Sequence, residues 1–209
     1  MSLGGRLFAS VYDAMMSATE AGGLGEQRRN LLADAKGSVL EIGAGTGVNI
    51  AHYVDAVDEL TVTEPDSAMI HRLERRVRQH APDALILRAP AEDLPFADDV
   101  FDVAVSTLVL CTVDDQPRAL RELRRVLRPG GALLFIEHVR AQQPRLARWQ
   151  DRLNGLNRLL AHGCNCNRPT LDEIFAAGFT VRHVEHRMLP KAPPIVRPLV
   201  VGVAEVSKD

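Results

Sequence analysis

Lysine is nearly missing from this chain. Lys36, Lys191 and Lys208 are the only three in 209 residues, and arginine carries the rest of the positive charge. That skew reads as a coding preference and not as a binding patch. Neither sign of charge is in excess, with a formal net charge of -2 and a pI near 6.4. No overall basic field is present to attract nucleic acid or an anionic membrane. Long hydrophobic runs are also missing. Residues 1–16, "MSLGGRLFASVYDAMM", hold one Arg and a broken apolar run, too short and polar for a signal peptide or an integral membrane segment. Cysteine is scarce and odd in number: Cys111, Cys164 and Cys166. Without a secretion signal, that count points to a reducing, cytoplasmic setting. No low-complexity tract or internal repeat breaks the chain.

What is present is an ordinary globular composition, 46% apolar and 25% charged. Residues 6–34 carry a helical pattern through Leu7, Val11, Ala14 and Met15, broken by Gly22, Gly23 and Gly25 and resumed through Leu31 and Leu32. Strand-length apolar runs then alternate with helical patterns. The strands are expected at 38–43, 59–65, 84–89, 100–107 and 132–139. Ser67 is the expected cap of the helix after the second strand, and Pro129 and Gly130 the expected end of the helix before the fifth. Thr170 and Glu173 form the pattern of a capping box opening a short helix. Alternation of this kind predicts an α/β fold, a Rossmann-like doubly wound sheet with helices on both faces. Only "PKAPP" separates the last two strands, so they should pair antiparallel.

The stretch "VLEIGAGTG" (39–47) follows the first strand and is expected to open a helix. Gly43, Gly45 and Gly47 occupy alternate positions, which lets the backbone approach a ligand with no Cβ in the way. A dinucleotide site needs G-x-G-x-x-G with a diphosphate on a helix N-terminus. Here Val48 stands at the third-glycine position and an acid, Glu41, lies two residues before the first glycine. An anion suits a cationic ligand better than a diphosphate. Glu64, at the end of the second strand, suits a ribose diol in either case. A plain tight βα turn remains the bland reading of the loop.

These residues resemble the cofactor loop of class I S-adenosylmethionine-dependent methyltransferases. "APAEDLPFADDVFDVAV" (89–105) and "LRELRRVLRPGGALLFIEH" (120–138) are similar to two further family segments, although Pro90 replaces the usual Asp. The run through "STLVLC", "RVLRPGG", "IEHV", "RWQ", "GCN" and "VRP" resembles the animal alkyl-thiol S-methyltransferases over residues 36–205. That likeness implies a seven-stranded sheet in the order 3-2-1-4-5-7-6, with the last strand antiparallel. It also implies one methyltransferase domain, with an N-terminal helical lid (1–35), a cofactor-binding half (36–140) and a substrate-side half (141–209). The S-adenosylmethionine site it implies comprises Glu41, Gly43, Ala44, Gly45, Thr46, Gly47, Asn49, Glu64, Pro65, Met69, Ala91, Glu92, Asp93, Thr107 and Leu108. The animal enzymes open on a hydrophobic membrane anchor that has no counterpart here, so lipid association does not follow. "VYDAMM" is similar to the lid helices of quinone C-methyltransferases and makes Tyr12 a candidate lid residue, with ordinary helix packing as its alternative.

The partner implied is a small-molecule methyl acceptor, most simply a thiol, with a C- or O-methylated lipophilic acceptor as the second reading. A thiol has a pKa of about 8.5, so a modest environmental shift yields the thiolate and no strong base is needed. If a base or orienting group exists, Glu137, His138 and His162 are the candidates. Cys111, Cys164 and Asn165 are candidate substrate-pocket residues, with Cys111 also readable as a small buried hydrophobe. "AHGCNCNRPT" crowds one His and two Cys together, yet Cys164 and Cys166 lie two apart with no second pair, so no metal is expected. Two other classes stay open at this point: an NAD(P) oxidoreductase, and a cofactor-binding protein without catalysis.

Overall fold

The structure is a computed structural model, and it describes residues 16–161 and 163–207. The candidates Tyr12 and His162 lie outside the described residues. A short π-turn at Glu20–Leu24, kinked at Gly23, leads into α1 (Gly25–Leu32). The chain then alternates: β1 (Gly37–Ile42), β2 (Val57–Thr63), α2 (Ser67–His80), β3 (Leu85–Leu87), β4 (Phe101–Thr107), α3 (Gln116–Val126) and β5 (Leu127–His138). It closes with α4 (Pro144–Leu160), α5 (Thr170–Ala176), β6 (Phe179–Met188) and β7 (Pro198–Val206). The strands form one sheet in the order β3-β2-β1-β4-β5-β7-β6. All neighbours from β3 to β5 are parallel, and β7 runs antiparallel to both β5 and β6.

Central parallel strands are buried on both faces, which is why they read as unbroken apolar runs. Val39, Leu40 and Ile42 of β1 are all fully buried. Alternate side chains feed two cores. Leu40, Ile42, Ala104, Leu133 and Phe135 pack on one side with Leu120 and Leu123 of α3. Val39, Val103, Val105, Leu134 and Ile136 pack on the other with Leu31 and Leu32 of α1 and Leu73 of α2. Among the described residues no helix is long and apolar enough to cross a membrane.

Three local expectations need correction. Ser67 is the first helical residue of α2, and the cap is Asp66, whose carboxylate accepts from Ala68 N at 2.7 Å. Asp outcompetes Ser here because its position, one residue earlier, is the one that keeps an extended backbone. Pro129 and Gly130 do not end α3. That helix stops at Val126; Leu127 is already extended and pairs with Phe101, so the Pro-Gly-Gly lies inside β5 where its register shifts. Thr170 does not cap α5, whose cap position is Pro169 with no side-chain bond. The Thr170 hydroxyl, fully buried, donates to His138 O at 3.3 Å and accepts from Gln116 Nε2 at 3.2 Å. Tertiary partners have taken it from its own helix.

Candidate active site

In an open α/β sheet, ligands gather outside the carboxyl ends of the strands. Those ends carry Glu41 and the glycine loop (β1), Glu64 (β2), Thr107 to Cys111 (β4), and Glu137 and His138 (β5). The glycine loop opens no α-helix. After Gly47 the chain makes turns and a single 3-10 turn at Ile50–His52. Without a helix N-terminus the loop lacks the dipole that a diphosphate needs. Gly43 and Gly45 both have positive φ, 54° and 59°. Their surroundings differ. A Cβ on Gly43 would lie 2.7 Å from both Val109 methyls, whereas a Cβ on Gly45 would meet nothing nearer than Gly43 O at 3.9 Å. Gly43 is needed for packing, and Gly45 leaves space for a ligand.

Two carboxylates face this loop. Glu64 accepts from Gly45 N and Asp66 N, each at 2.8 Å, and burial pushes its pKa up against those two bonds. The amide that would cradle a diphosphate is thus already given to a carboxylate. Glu41 is buried beneath the loop and accepts from Asn49 Nδ2 at 2.9 Å and Tyr53 OH at 2.7 Å. Burial pushes its pKa up to about 7, against the bonds from Tyr53 and Asn49 and the charge of Arg28. A cation arriving at the loop would favour the ionised form. Sequence reasoning missed Arg28. Its buried guanidinium spans Glu20 Oε1 (3.1 Å), Asn49 Oδ1 (2.9 Å) and Thr107 Oγ1 (2.8 Å), tying the N-terminal helix to the loops after β1 and β4. Nothing in the local pattern "EQRRN" marks Arg28 off from Arg29. Asn49 also donates to Thr107 Oγ1 at 2.9 Å, so Glu41, Asn49, Thr107 and Arg28 form one network.

The remaining cofactor candidates line the same edge. Thr46 is buried, with its carbonyl and hydroxyl oxygens accepting from Arg76 at 2.7 and 2.6 Å. Ala44, Met69 and Ala91 are buried, and Pro65 accepts from Arg88 at 3.0 Å. Glu92 has its carboxylate on Asp114 N and Asp115 N, at 2.8 and 3.3 Å, so it holds the loop after β4. Asp93 is exposed. Leu108 sits at φ 61°, a conformation costly for a side chain of its size and found where a site over-determines the backbone.

Glu137 is an organiser of this turn. Its fully buried Oε1 accepts from Ser106 Oγ (2.7 Å), Val109 N and Leu110 N (both 3.0 Å), and Oε2 accepts from Cys111 N (3.2 Å). Burial raises its pKa and these donors pull it back. With four donors on it, the carboxylate is fitted to hold the turn and not to take an acceptor's proton. The turn ends at a cluster. His138 Nδ1 lies 3.5 Å from Cys111 Sγ and 3.4 Å from Cys164 Sγ, and the two sulfurs are 3.8 Å apart. The thiols titrate as a pair: contact with Cys111 and His138 brings Cys164 down to about 5, while contact with Cys164 and burial push Cys111 up. The expectation of no metal considered Cys164 with Cys166, but the three ligand-type atoms that converge come from three separate segments.

The Cys-rich loop is pinned along its length. Asn165 N donates to Cys111 O at 2.7 Å, and its side chain bonds Cys111 O, Gly163 O and Asn154 Nδ2. Arg168 donates to Leu110 O and Val113 O, at 2.5 and 2.6 Å. Buried Gln150 donates to Val139 O, Cys166 O and Ile195 O. A cleft of about 600 Å³ between Asp99, Arg124, Arg125 and Val206 lies at the opposite end of the sheet, away from all these groups, and it is not where this chemistry belongs.

A doubly wound sheet with a reversed last strand, a glycine loop backed by acids and no diphosphate cradle define the class I S-adenosylmethionine-dependent methyltransferases. A methyltransferase-domain family profile matches residues 40–135. The chain is 33% identical to the human thiol S-methyltransferase TMT1A, over 94% of this chain and 82% of that one. It is 31% identical to the ubiquinone/menaquinone biosynthesis C-methyltransferase UbiE of Vibrio parahaemolyticus, over 62% of this chain and 53% of that one. Its fold is similar to that of the N-methyltransferase NodS from Bradyrhizobium japonicum WM9, solved with S-adenosyl-L-homocysteine, at a TM-score of 0.65, 18% identity, and coverage of 87% and 86%. The chain belongs to the S-adenosylmethionine-dependent methyltransferases, in the family of the thiol S-methyltransferases, and S-adenosylmethionine is its cofactor.

Proposed function

We propose that this enzyme methylates the sulfur of a small thiol. The observation that carries the reading is the 33% identity to a thiol S-methyltransferase across 94% of the chain, substrate-side half included. The similarity to the quinone C-methyltransferase covers only 62%. S-adenosylmethionine, when bound, supplies a methyl group already activated on a sulfonium. In this reading Glu64 holds the ribose, Glu41 and Asn49 serve the cationic methionine end, and Gly45 leaves room for the ligand. Met69, Ala91 and Leu108 give apolar contact around the nucleoside. Alignment of nucleophile, methyl carbon and leaving sulfur then dominates the rate. The turn from Thr107 to Cys111, held by Glu137, is the rigid wall that this alignment needs. Cys111, His138 and Cys164 form the acceptor side, braced by Asn165.

The test is a panel assay with methyl-labelled cofactor against alkyl thiols, sulfide, phenols, a quinol and amines. Turnover of thiols or sulfide is expected. Turnover of the quinol or a phenol with none of any thiol would replace this reading with C- or O-methylation.

A further inference from the structure

We propose that Cys111 Sγ, Cys164 Sγ and His138 Nδ1 are three ligands of a zinc ion whose fourth position receives the sulfur of the acceptor. The acceptor part of this inference rests on the thiol reading above; the metal site does not.

The geometry is that of one face of a coordination tetrahedron. Zinc binds thiolate at about 2.3 Å and imidazole at about 2.0–2.1 Å, so a tetrahedral site sets S···S at about 3.8 Å and S···N at about 3.6 Å. The observed edges are 3.8 Å between the sulfurs, and 3.5 and 3.4 Å from each sulfur to Nδ1. All three residues are buried. Two thiolates and a divalent zinc sum to zero charge, which a buried site tolerates. Sulfur and imidazole donors select zinc over magnesium or calcium, which prefer oxygen.

The ligands are also held in place before any ion arrives. Cys111 N donates to Glu137, and Cys111 O accepts from Asn165 N at 2.7 Å. Cys164 O accepts from Asn157 Nδ2 at 2.8 Å, and His138 O accepts from the Thr170 hydroxyl. Among the described residues the other imidazole nitrogen, His138 Nε2, is buried without a partner. Three protein ligands leave the fourth corner of the tetrahedron for an outside ligand, the pattern of a catalytic zinc. The site also adjoins the cofactor loop, because Val109, two residues before Cys111, is the residue that a Cβ on Gly43 would strike.

A thiol R–SH binds the zinc through sulfur and releases its proton to water, and the sulfur stays a thiolate at neutral pH. Its electron pair forms the new S–CH3 bond while the methyl–sulfonium bond breaks. That bond's electrons return to the cofactor sulfur, giving neutral S-adenosylhomocysteine. The methylated acceptor is a neutral thioether, a weak zinc ligand, and dissociates.

The test uses the full chain expressed with zinc and purified without chelator. Elemental analysis should find one zinc per chain. The metal-free protein loaded with cobalt(II) should show thiolate charge-transfer bands and the strong d–d bands of tetrahedral cobalt. Cys111→Ser, Cys164→Ser and His138→Gln should each lose the metal, with S-adenosylhomocysteine binding as the check on folding. Cys166→Ser should keep it, since Cys166 Sγ lies against Asn154, outside the cluster. Ethanethiol added to the cobalt protein should raise the charge-transfer band. Protein that binds S-adenosylhomocysteine but takes up neither zinc nor cobalt overturns the site, as does a Cys111–Cys164 disulfide in its place. A cobalt spectrum that ethanethiol leaves unchanged, or full thiol turnover by zinc-free protein, overturns the acceptor position. A loaded site whose enzyme methylates no thiol keeps the metal and defeats the thiol reading alone.

Discussion

Replacing Glu41 with Gln should stabilise the protein and weaken cofactor binding, in a way that depends on pH. The glutamine amide can still accept from Asn49 and donate to Tyr53 in place of the two bonds Glu41 accepts. What the substitution removes is the cost of a buried charge. Glu41 moves from 4.5 in water to about 7 in the fold. Between those values the native state holds a proton that the unfolded chain releases. Stability contributed by this group is therefore full below about pH 4.5 and is lost as pH rises through 7. At about 1.4 kcal/mol per pH unit, the total is roughly 3 kcal/mol. Urea unfolding of wild type and E41Q should nearly coincide at pH 4.5 and diverge to favour E41Q by up to roughly 3 kcal/mol at pH 8. Other titrating groups cancel in the comparison. Calorimetry should show S-adenosylmethionine binding to E41Q about tenfold more weakly, about 1.4 kcal/mol. A stability difference independent of pH would refute the burial argument, and unchanged affinity would refute the role in binding.

Glu64→Ala should weaken S-adenosylhomocysteine binding by about 1.5–3 kcal/mol in the same calorimeter, the worth of a charged hydrogen bond. Gly43→Ala and Gly45→Ala should separate: both carry the left-handed backbone cost of about 1–2 kcal/mol, the first adds about 1–3 kcal/mol through its clash with Val109, and the second loses most cofactor affinity instead. Glu137→Ala strands three backbone N–H groups and the Ser106 hydroxyl. It should cost roughly 3–5 kcal/mol, a drop in Tm of about 10 °C in differential scanning calorimetry.

The strands themselves, the antiparallel end and the acids around the glycine loop were legible because each is written locally, whereas the strand order came with the family resemblance. Period and length of apolar runs mark the strands, and "PKAPP" is too short to carry a helix. The missing helix after Gly47 was not legible, because G-x-G-x-G fits a turn into either an α-helix or a 3-10 turn. Arg28 and the turn-holding bonds of Glu137 escaped because their partners are distant in sequence, 21 and 79 residues away for Arg28 and 26 to 31 for Glu137. The same holds for Thr170, whose pattern promised a cap and whose buried hydroxyl serves His138 and Gln116 instead. The Cys111–His138–Cys164 cluster is an extreme case. Spacing within "GCNCN" argues against a metal, and only the approach of three segments brings a second sulfur and an imidazole to Cys164.

4-Mercaptophenol asks within one molecule whether sulfur is the methylated atom. Incubated with enzyme and methyl-labelled S-adenosylmethionine, it offers a thiol and a phenol at opposite ends of one ring. The expected product, read by proton NMR and mass spectrometry, is the S-methyl thioether with the phenol intact. An O-methyl ether carrying a free thiol would contradict it.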